Sequence, residues 1–335
     1  MVENSASRVS LPGLIRKWIS MKKIVDAIPV ADVVKELTPG RLLRKTNNGN
    51  NEVYTFISHE SPILMHEVGR LREITFRAAG GGTGKESDID GYDMSEVAPH
   101  RQLIVWDPDN REIIGGYRFL IHDNRKKKVE PGDMASASFF NFSDEFTNDY
   151  LPNLMELGRS FVQPGYQSRA KGRKSLFALD NLWDGLGAIV IENPRIKYLF
   201  GKVTMYTHFN ETARNLIIWF MKKHFSDPDR LVVPKKDISL DINKAEMQAI
   251  LIADNYREDY KILSLEVRRL GENIPPLINA YMNLSPSMRT FGTVYNEAFG
   301  KVEETGIMIT IRDMYVEKIN RHLASYREDY EIGLD

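Results

Sequence analysis

Residues 155–162 read MELGRSFV, an apolar run that carries one carboxylate, Glu156, and one guanidinium, Arg159. Pro164 and Gly165 follow shortly after, so the pattern predicts a buried β-strand that stops before them. A charged side chain inside such a strand must be paired or must face a cleft, because burying an unpaired charge is very costly. The run therefore predicts both a central strand and the position of a functional site.

The segments around this strand alternate between strand and helix patterns. Residues 103–106 and 113–121 flank the turn at residues 108–110 and predict a β-hairpin. A helix is predicted to begin at Pro62 with Ser61 as its cap, and another runs through residue 225 with Asn210 as its cap. The remaining helical predictions are a helix at 174–193, a helical stretch at 244–270, the segment 274–284 and a closing helix. The remaining strand predictions are 198–205, 231–233 and 306–312. Such alternation indicates a three-layer α/β arrangement.

The first 55 residues differ from the rest of the chain. Residues 11–37 predict short amphipathic helices, with apolar side chains at helical spacing. We favour packing of these helices on the main domain, and the alternative is a peripheral contact of their Lys and Arg side chains with the inner membrane surface. The polar run at 47–52 indicates a boundary or a hairpin tip. We therefore divide the chain into an N-terminal helical extension, residues 1–55, and one α/β domain, residues 56–335.

The composition is that of a globular protein and narrows the classes of function. The chain has 335 residues, a formal net charge of −1 and no cysteine. A near-neutral chain has no overall field for nucleic acid, so no such partner is expected. Without cysteine, disulfides and thiolate metal sites are excluded, and the scattered histidines show no metal-binding spacing. The apolar runs are too short to span a bilayer, and charges interrupt the N-terminal one, so we predict a cytoplasmic protein.

Ionisable residues recur where buried apolar residues are expected. Arg72 and Phe76 lie one turn apart on the helix that begins at Pro62, and Arg118 interrupts the apolar strand at 115–121. An acidic loop between them carries three aspartates, Asp88, Asp90 and Asp93. Two interpretations are open for this set: a substrate site, or an ion-pair network that holds the acidic loop against the sheet.

The order of these residues resembles the carrier-protein-dependent branch of the GNAT superfamily, which includes the acyl-homoserine-lactone synthases. The closer similarity is to the ornithine- and glycine-lipid N-acyltransferases, often labelled hemolysin-like, and it covers roughly residues 60–315 in consistent order. The segments that carry it are Arg72-x-x-x-Phe76, Asp90-x-x-Asp93, Gly116-Tyr117-Arg118, Glu156-x-x-Arg159-Ser160, Leu182-Trp183-Asp184-Gly185-Leu186-Gly187, Tyr198–Gly201 and Pro275–Tyr281. The resemblance implies a GNAT-like three-layer α/β/α fold with a mixed central sheet.

The resemblance also implies an activity. It points to an N-acyltransferase that moves a long-chain (3-hydroxy)acyl group from acyl carrier protein to the α-amine of an amino acid, the first step of aminolipid biosynthesis. No separate cofactor is implied, because the donor is the acyl-phosphopantetheine thioester of the carrier. Glu156 is expected to take the ammonium proton, with Arg159 and Ser160 completing the catalytic centre and the main chain of Ser160-Phe161-Val162 binding the oxyanion. The expected substrate-binding residues are Arg72, Phe76, Asp90, Asp93, Arg118 and Phe161.

Glu156 and Arg159 can share a site only if their strand is irregular. On an ideal strand they face opposite sides, and a bulge at Gly158 is expected to re-aim one of them. With such a bulge, Arg118 and Arg159 are expected to bind the acceptor carboxylate bidentately.

The loop before the helix at 174–193 bears on the donor. CoA-dependent GNAT enzymes hold the pyrophosphate with an Arg/Gln-x-x-Gly-x-Gly/Ala turn, and residues 167–173 lack the second small residue in register. This favours a carrier-bound donor. The expected docking patch for the acidic carrier consists of Arg169, Lys171, Arg173 and Lys174.

The acceptor is suggested by a departure from the ornithine-type pattern. Two cations of that pattern are replaced by Asn279 and Asn283, which favours glycine over ornithine. One rival function is an acyl-homoserine-lactone synthase-like enzyme, which the long C-terminal third and the motif at 182–187 disfavour. The other is a non-catalytic lipid- or carrier-binding protein, which would keep its binding without Glu156.

Overall fold

The computed structural model describes residues 21–121, 128–167, 172–238 and 242–326 of the chain. The strands in these ranges are β1 (Leu42–Lys45), β2 (Glu52–Phe56), β3 (Arg101–Asp107), β4 (Glu112–Ile121), β5 (Phe140–Phe142), β6 (Leu154–Val162), β7 (Tyr198–Met205), β8 (Val232–Pro234), β9 (Arg289–Asn296) and β10 (Val302–Thr310). The α-helices are α1 (Val30–Glu36), α2 (Pro62–Ala78), α3 (Arg173–Glu192), α4 (Glu211–His224), α5 (Lys244–Ile250), α6 (Tyr256–Arg269), α7 (Pro276–Met282) and α8 (Val316–Ile319). Short 3₁₀ turns join several of these elements, among them residues 135–138.

The centre of the fold is an eight-stranded sheet with the order β1-β2-β3-β4-β6-β7-β10-β9. Its neighbouring strands run antiparallel, apart from β6 and β7, which run parallel. The chain crosses from β6 to β7 through α3, because a parallel pair needs a long connection. The predicted mixed sheet is confirmed, and its parallel pair contains the strand predicted at 155–162.

Helices and loops cover both faces of this sheet. On one face, α3, α4, α6 and α7 pack on the largest apolar cluster, which includes Phe119 and Leu157. On the other face, α2 covers β2 and β3, and the segment 129–153 with the β5–β8 ribbon covers the centre. The predicted three-layer arrangement is therefore confirmed. Among the described helices, none combines the length and the apolarity that crossing a bilayer requires.

The structure differs from the predicted elements in several places. The helical stretch predicted at 244–270 is two helices, because α5 ends at Ile250 and α6 begins with its own cap, Asn255. The sequence patterns do not predict β9, which extends the sheet beyond β10. The residues predicted as a strand at 231–233 overlap β8, which pairs with β5 outside the main sheet.

The N-terminal part of the chain is joined to the central sheet. The polar run at 47–52 is the hairpin tip between β1 and β2, so the division predicted after residue 55 falls within β2. That division into two units stays a prediction. Of the helices predicted at 11–37, α1 is present, residues 21–29 are irregular, and residues 11–20 lie outside the described ranges.

The start of α2 shows how the N-terminal segment stabilises the domain. Ser61 and Pro62 take the predicted positions, but the described part of the chain shows no hydrogen bond from this helix to the Ser61 side chain. The carboxylate of Glu36, at the end of α1, instead accepts hydrogen bonds from the backbone N–H groups of Ile63 (3.3 Å) and Leu64 (2.8 Å). A carboxylate at this position also interacts favourably with the helix dipole. The cap of α2 therefore comes from a neighbouring helix.

We expect Glu36→Ala to lower the free energy of unfolding by about 1 kcal/mol, the usual cost of removing a helix cap. Urea unfolding at pH 7 measures the change. Glu60→Ala is the matched control, because Glu60 is exposed beside the same helix end. Equal effects of the two substitutions would contradict the capping role of Glu36.

Candidate active site

The parallel strands β6 and β7 separate toward their C-terminal ends. They pair from Leu154 and Tyr198 as far as Leu157 and Gly201, after which β6 continues beside β4 and β7 beside β10. A Cβ at Gly201 would lie 2.7 Å from the carbonyl oxygen of Leu157, so the last pair requires glycine. The separation leaves an opening in the middle of the sheet.

A β-bulge changes the direction of the β6 side chains beside this opening. Two residues, Arg159 and Ser160, stand opposite Tyr117 of β4, where a regular ladder has one. Arg159 has a φ of 50°, a conformation that non-glycine residues rarely adopt. The sequence predicts the bulge at Gly158, and the structure has it at the next two residues; Arg159 and Glu156 both line one cavity.

A cavity of about 530 Å³ lies at the opening, a volume within the usual range for small-molecule sites. It is lined from both faces of the sheet, because the consecutive residues Tyr117 and Arg118 point to opposite sides and both reach it. One side of the cavity carries the charged groups of Arg118, Glu156, Arg159, Lys202 and Glu304. The other side carries apolar and aromatic side chains from α3 and α7, among them Leu179, Leu277 and Tyr281.

Glu156 lies on the charged side of the cavity, with 4% of its surface exposed. Its two carboxylate oxygens each accept a hydrogen bond of 2.9 Å, one from the backbone N–H of Ala135 and one from that of Ser136. These residues open the 3₁₀ turn at 135–138, whose first N–H groups have no partner within the turn. The turn therefore fixes the carboxylate, and each oxygen keeps a lone pair for a ligand or a proton.

A buried ion-pair network lies beside the cavity, with Asp93 at its centre. Arg72 of α2 is fully buried, contacts Asp93 at 3.3 Å and donates a hydrogen bond to the side chain of Gln102. Arg118 of β4 contacts the same carboxylate at 3.3 Å and Asp90 at 2.7 Å. Burial raises the pKa of Asp93, but the charges of Arg72 and Arg118 outweigh it and hold that pKa below its usual value. The acidic loop is thus held, ionised, against both helix and sheet.

Arg159 extends this network to β6. Its guanidinium contacts Asp88 at 2.8 Å and Asp90 at 3.4 Å, and lies 4.6 Å from the centre of the Phe299 ring. Phe76 packs edge-on against the same ring. Three arginines and three aspartates balance in formal charge, as expected for a network that holds the loop against the sheet. A role of these residues in binding substrate stays a prediction.

The remaining predicted residues divide between the cavity and the loop before α3. Ser160 and Phe161 both line the cavity. In the proposed docking patch, Arg169, Lys171 and the side chain of Arg173 lie outside the described part of the structure. Lys174 contacts Asp107 at 2.5 Å and Asp109 at 2.9 Å, so its charge is locally compensated. The docking role of this loop stays a prediction.

The structure adds cavity residues that sequence reasoning did not single out. Tyr117 and Tyr281 are buried side by side next to Ser160, and burial raises the pKa of both hydroxyls. Lys202 and Glu304 form an ion pair of 3.1 Å in the cavity wall. Glu304 follows another glutamate, Glu303, and precedes the strand predicted at 306–312, so no apolar run marks it in the sequence.

We expect Asp93→Asn to lower the free energy of unfolding by about 3–5 kcal/mol, because it leaves two buried guanidinium groups short of a counter-charge. Asp109→Asn is the control, since this carboxylate pairs with Lys174 but its side chain is 68% exposed. Asp109→Asn should lower the free energy of unfolding by less than about 1 kcal/mol. Urea unfolding at pH 7 compares the two variants, and a small effect at Asp93 would contradict the central place of this residue.

The sequence of the chain is similar to those of several known proteins. Residues 71–174 match a family model described as an acetyltransferase (GNAT) domain. The chain is 50% identical over 311 residues to a glycine Nα-acyltransferase of Phocaeicola vulgatus, covering 91% of this chain and 94% of the relative. It is 49% identical over 315 residues to a glycine Nα-acyltransferase of Bacteroides thetaiotaomicron, covering 94% and 93%. An L-ornithine Nα-acyltransferase of Brucella abortus is 24% identical over 278 residues, covering 79% and 80%. No solved structure matches the chain.

Proposed function

Because the chain belongs to the glycine Nα-acyltransferase family, with a GNAT domain, we propose that it transfers a long-chain (3-hydroxy)acyl group from acyl carrier protein to the α-amine of glycine. The product is an N-acylated amino acid, the first intermediate of an aminolipid. The observation that supports this proposal is the cavity at the β6–β7 opening, which joins a charged side to an apolar side. Such a cavity suits an amino acid and a lipid thioester together.

Glu156 is the group that we assign to the acceptor amine. At neutral pH the α-amine is protonated, so it must lose a proton before it can attack. The Glu156 carboxylate lines the cavity, and two backbone N–H groups hold it in place. In the proposed reaction the ammonium gives one proton to Glu156, and the amine nitrogen then bonds to the thioester carbonyl carbon.

The backbone of β6 is the proposed donor to the oxyanion that forms. The N–H of Gln163 donates to the carbonyl of Ile114 on β4. Because N–H groups alternate in direction along a strand, that of Val162 points away from β4, toward the opening. An N–H in this position can stabilise the thioester oxygen as it gains negative charge, without reorganising during the reaction. We assign the same role to the main chain at Ser160.

The collapse of the tetrahedral intermediate breaks the C–S bond and releases a thiolate that needs a proton. The hydroxyls of Tyr117 and Tyr281 are suited to this step, because both side chains line the cavity and a tyrosine hydroxyl is protonated at neutral pH. In our scheme one tyrosine protonates the sulfur and regains a proton from the nitrogen as the amide forms. The proton taken by Glu156 leaves to solvent, so the reaction yields amide, thiol and one proton.

The two asparagines that replace cations of the ornithine-type pattern, Asn279 and Asn283, make contacts between two helices. The side chain of Asn279 accepts a hydrogen bond from Tyr260, and that of Asn283 accepts one from Tyr256 at 3.3 Å. Asn283 also donates to the Asn279 carbonyl at 2.9 Å. The two asparagines therefore secure α7 against α6, and their contacts give no reason to assign them to the acceptor. The proposed preference for glycine rests instead on the similarity to glycine-type relatives.

We expect Glu156→Gln to lower the rate of glycine acylation by about 10²–10⁴-fold, the usual contribution of a general base. The measurement is turnover with a purified 3-hydroxyacyl carrier-protein donor and glycine. Glu303→Gln is the matched control, because Glu303 lies on β10 next to the cavity residue Glu304 but points to the opposite face and pairs with Arg214. Near-normal turnover by folded Glu156→Gln would show that Glu156 is not the general base.

Competition between substrates tests the proposed donor and acceptor. With glycine and ornithine at equal concentration and one 3-hydroxyacyl carrier-protein donor, we expect acyl-glycine to dominate the product. With glycine alone, we expect the carrier-bound donor to be used faster than the same acyl group on CoA. A product dominated by acyl-ornithine would contradict the acceptor, and faster use of the CoA thioester would contradict the donor. Formation of an acyl-homoserine lactone from S-adenosylmethionine would favour the rival enzyme.

A further inference from the structure

Lys202 and Glu304 place an ion pair inside the cavity. The Lys202 ammonium lies 3.1 Å from a Glu304 carboxylate oxygen, and the two side chains are 14% and 5% exposed. The ammonium also lies 4.3 Å from the centre of the Phe139 ring. Phe139 directly follows the turn at 135–138 that holds Glu156, so Lys202 and Glu156 are neighbours under the same turn.

The register of the sheet gives the spacing between these groups. Glu156 of β6 pairs with Phe200 of β7, and Lys202 follows two residues later on the same face. Two residues of a strand span about 7 Å. Glu304 of β10 pairs with Thr204, so it stands on the same face on the far side of Lys202. An α-amino acid can therefore lie between Glu156 and Lys202 and hydrogen-bond to both.

The charges that line the cavity restrict where a carboxylate can bind. The guanidinium groups in the described cavity wall belong to Arg118 and Arg159, and each is already paired with two aspartates of the acidic loop. The Lys202 ammonium has three N–H donors and makes one ion pair, with Glu304 at 3.1 Å, so it keeps capacity for a second carboxylate. Lys202 is thus the cation best placed to meet an acceptor.

We propose that Lys202 binds the carboxylate of the acceptor amino acid while Glu156 meets its ammonium group, an inference that rests on the proposed function. The arrangement matches a small zwitterion in both charge and length. It also gives a reason for the proposed preference for glycine over ornithine, because a second cation in the acceptor would approach Lys202 with like charge. Glu304 acts as a positioning residue that orients Lys202.

The test compares glycine with glycinamide, which keeps the amine but has no carboxylate. We expect the wild-type enzyme to acylate glycine with a kcat/KM about 10- to 100-fold higher than that for glycinamide, because a charge-assisted hydrogen bond contributes on that scale. Lys202→Met should raise the KM for glycine by a similar factor and bring the glycine-to-glycinamide ratio close to one. The KM for the acyl donor should not change.

Lys197→Met is the matched control, because Lys197 is exposed just before the same strand. Lys202→Gln, which has a similar length, provides a second variant if Lys202→Met does not fold. If wild-type enzyme acylates glycine but both folded variants keep the wild-type ratio of glycine to glycinamide, the inference is wrong and the proposed function stands. If the wild-type enzyme acylates neither amine with any thioester, the proposed function itself fails.

Discussion

The carboxylate of Asp93 is the contact on which the rest of the site depends. It lies between Arg72 of the first long helix and Arg118 of the central sheet, and both guanidinium groups are buried. Neither cation could remain there without an anion, because the cost of desolvation would not be offset. The acidic loop therefore provides the counter-charge that allows the helix, the loop and the sheet to pack together, and it places Asp90 and Asp88 against Arg159.

This network has a direct consequence for the strand that carries Glu156. Arg159 occupies a strained backbone conformation at the bulge, and its ion pairs with the loop hold it there. Strain of this kind persists only where the surroundings over-determine it, and it is common at functional sites. The bulge and the separation of β6 from β7 open the sheet at one point, and the cavity lies there. Ion pairing, strand geometry and cavity are thus parts of one arrangement.

The sequence predicts the parts of this arrangement that are encoded locally. Apolar runs identified β4, β6 and β7, because buried strands have a strong and short-range pattern. Charges inside those runs indicate, from the sequence alone, that Arg118, Glu156 and Arg159 are paired or face a cleft. The cap that Glu36 gives to α2 and the pairing of Lys202 with Glu304 could not be predicted, because each joins residues distant in sequence. The replacement of two cations by Asn279 and Asn283 favours glycine on the sequence pattern alone, whereas the contacts of these residues join two helices.

The most direct measurement is a crystal structure of the protein with glycine and an S-(2-oxoalkyl) pantetheine, in which a methylene separates the sulfur from the carbonyl and prevents transfer. We expect the chain of the analogue to lie along the apolar side of the cavity and its ketone oxygen to accept a hydrogen bond from the N–H of Val162. We also expect the glycine nitrogen to face Glu156. An analogue bound away from the β6–β7 opening, or a glycine nitrogen turned away from Glu156, would contradict the account.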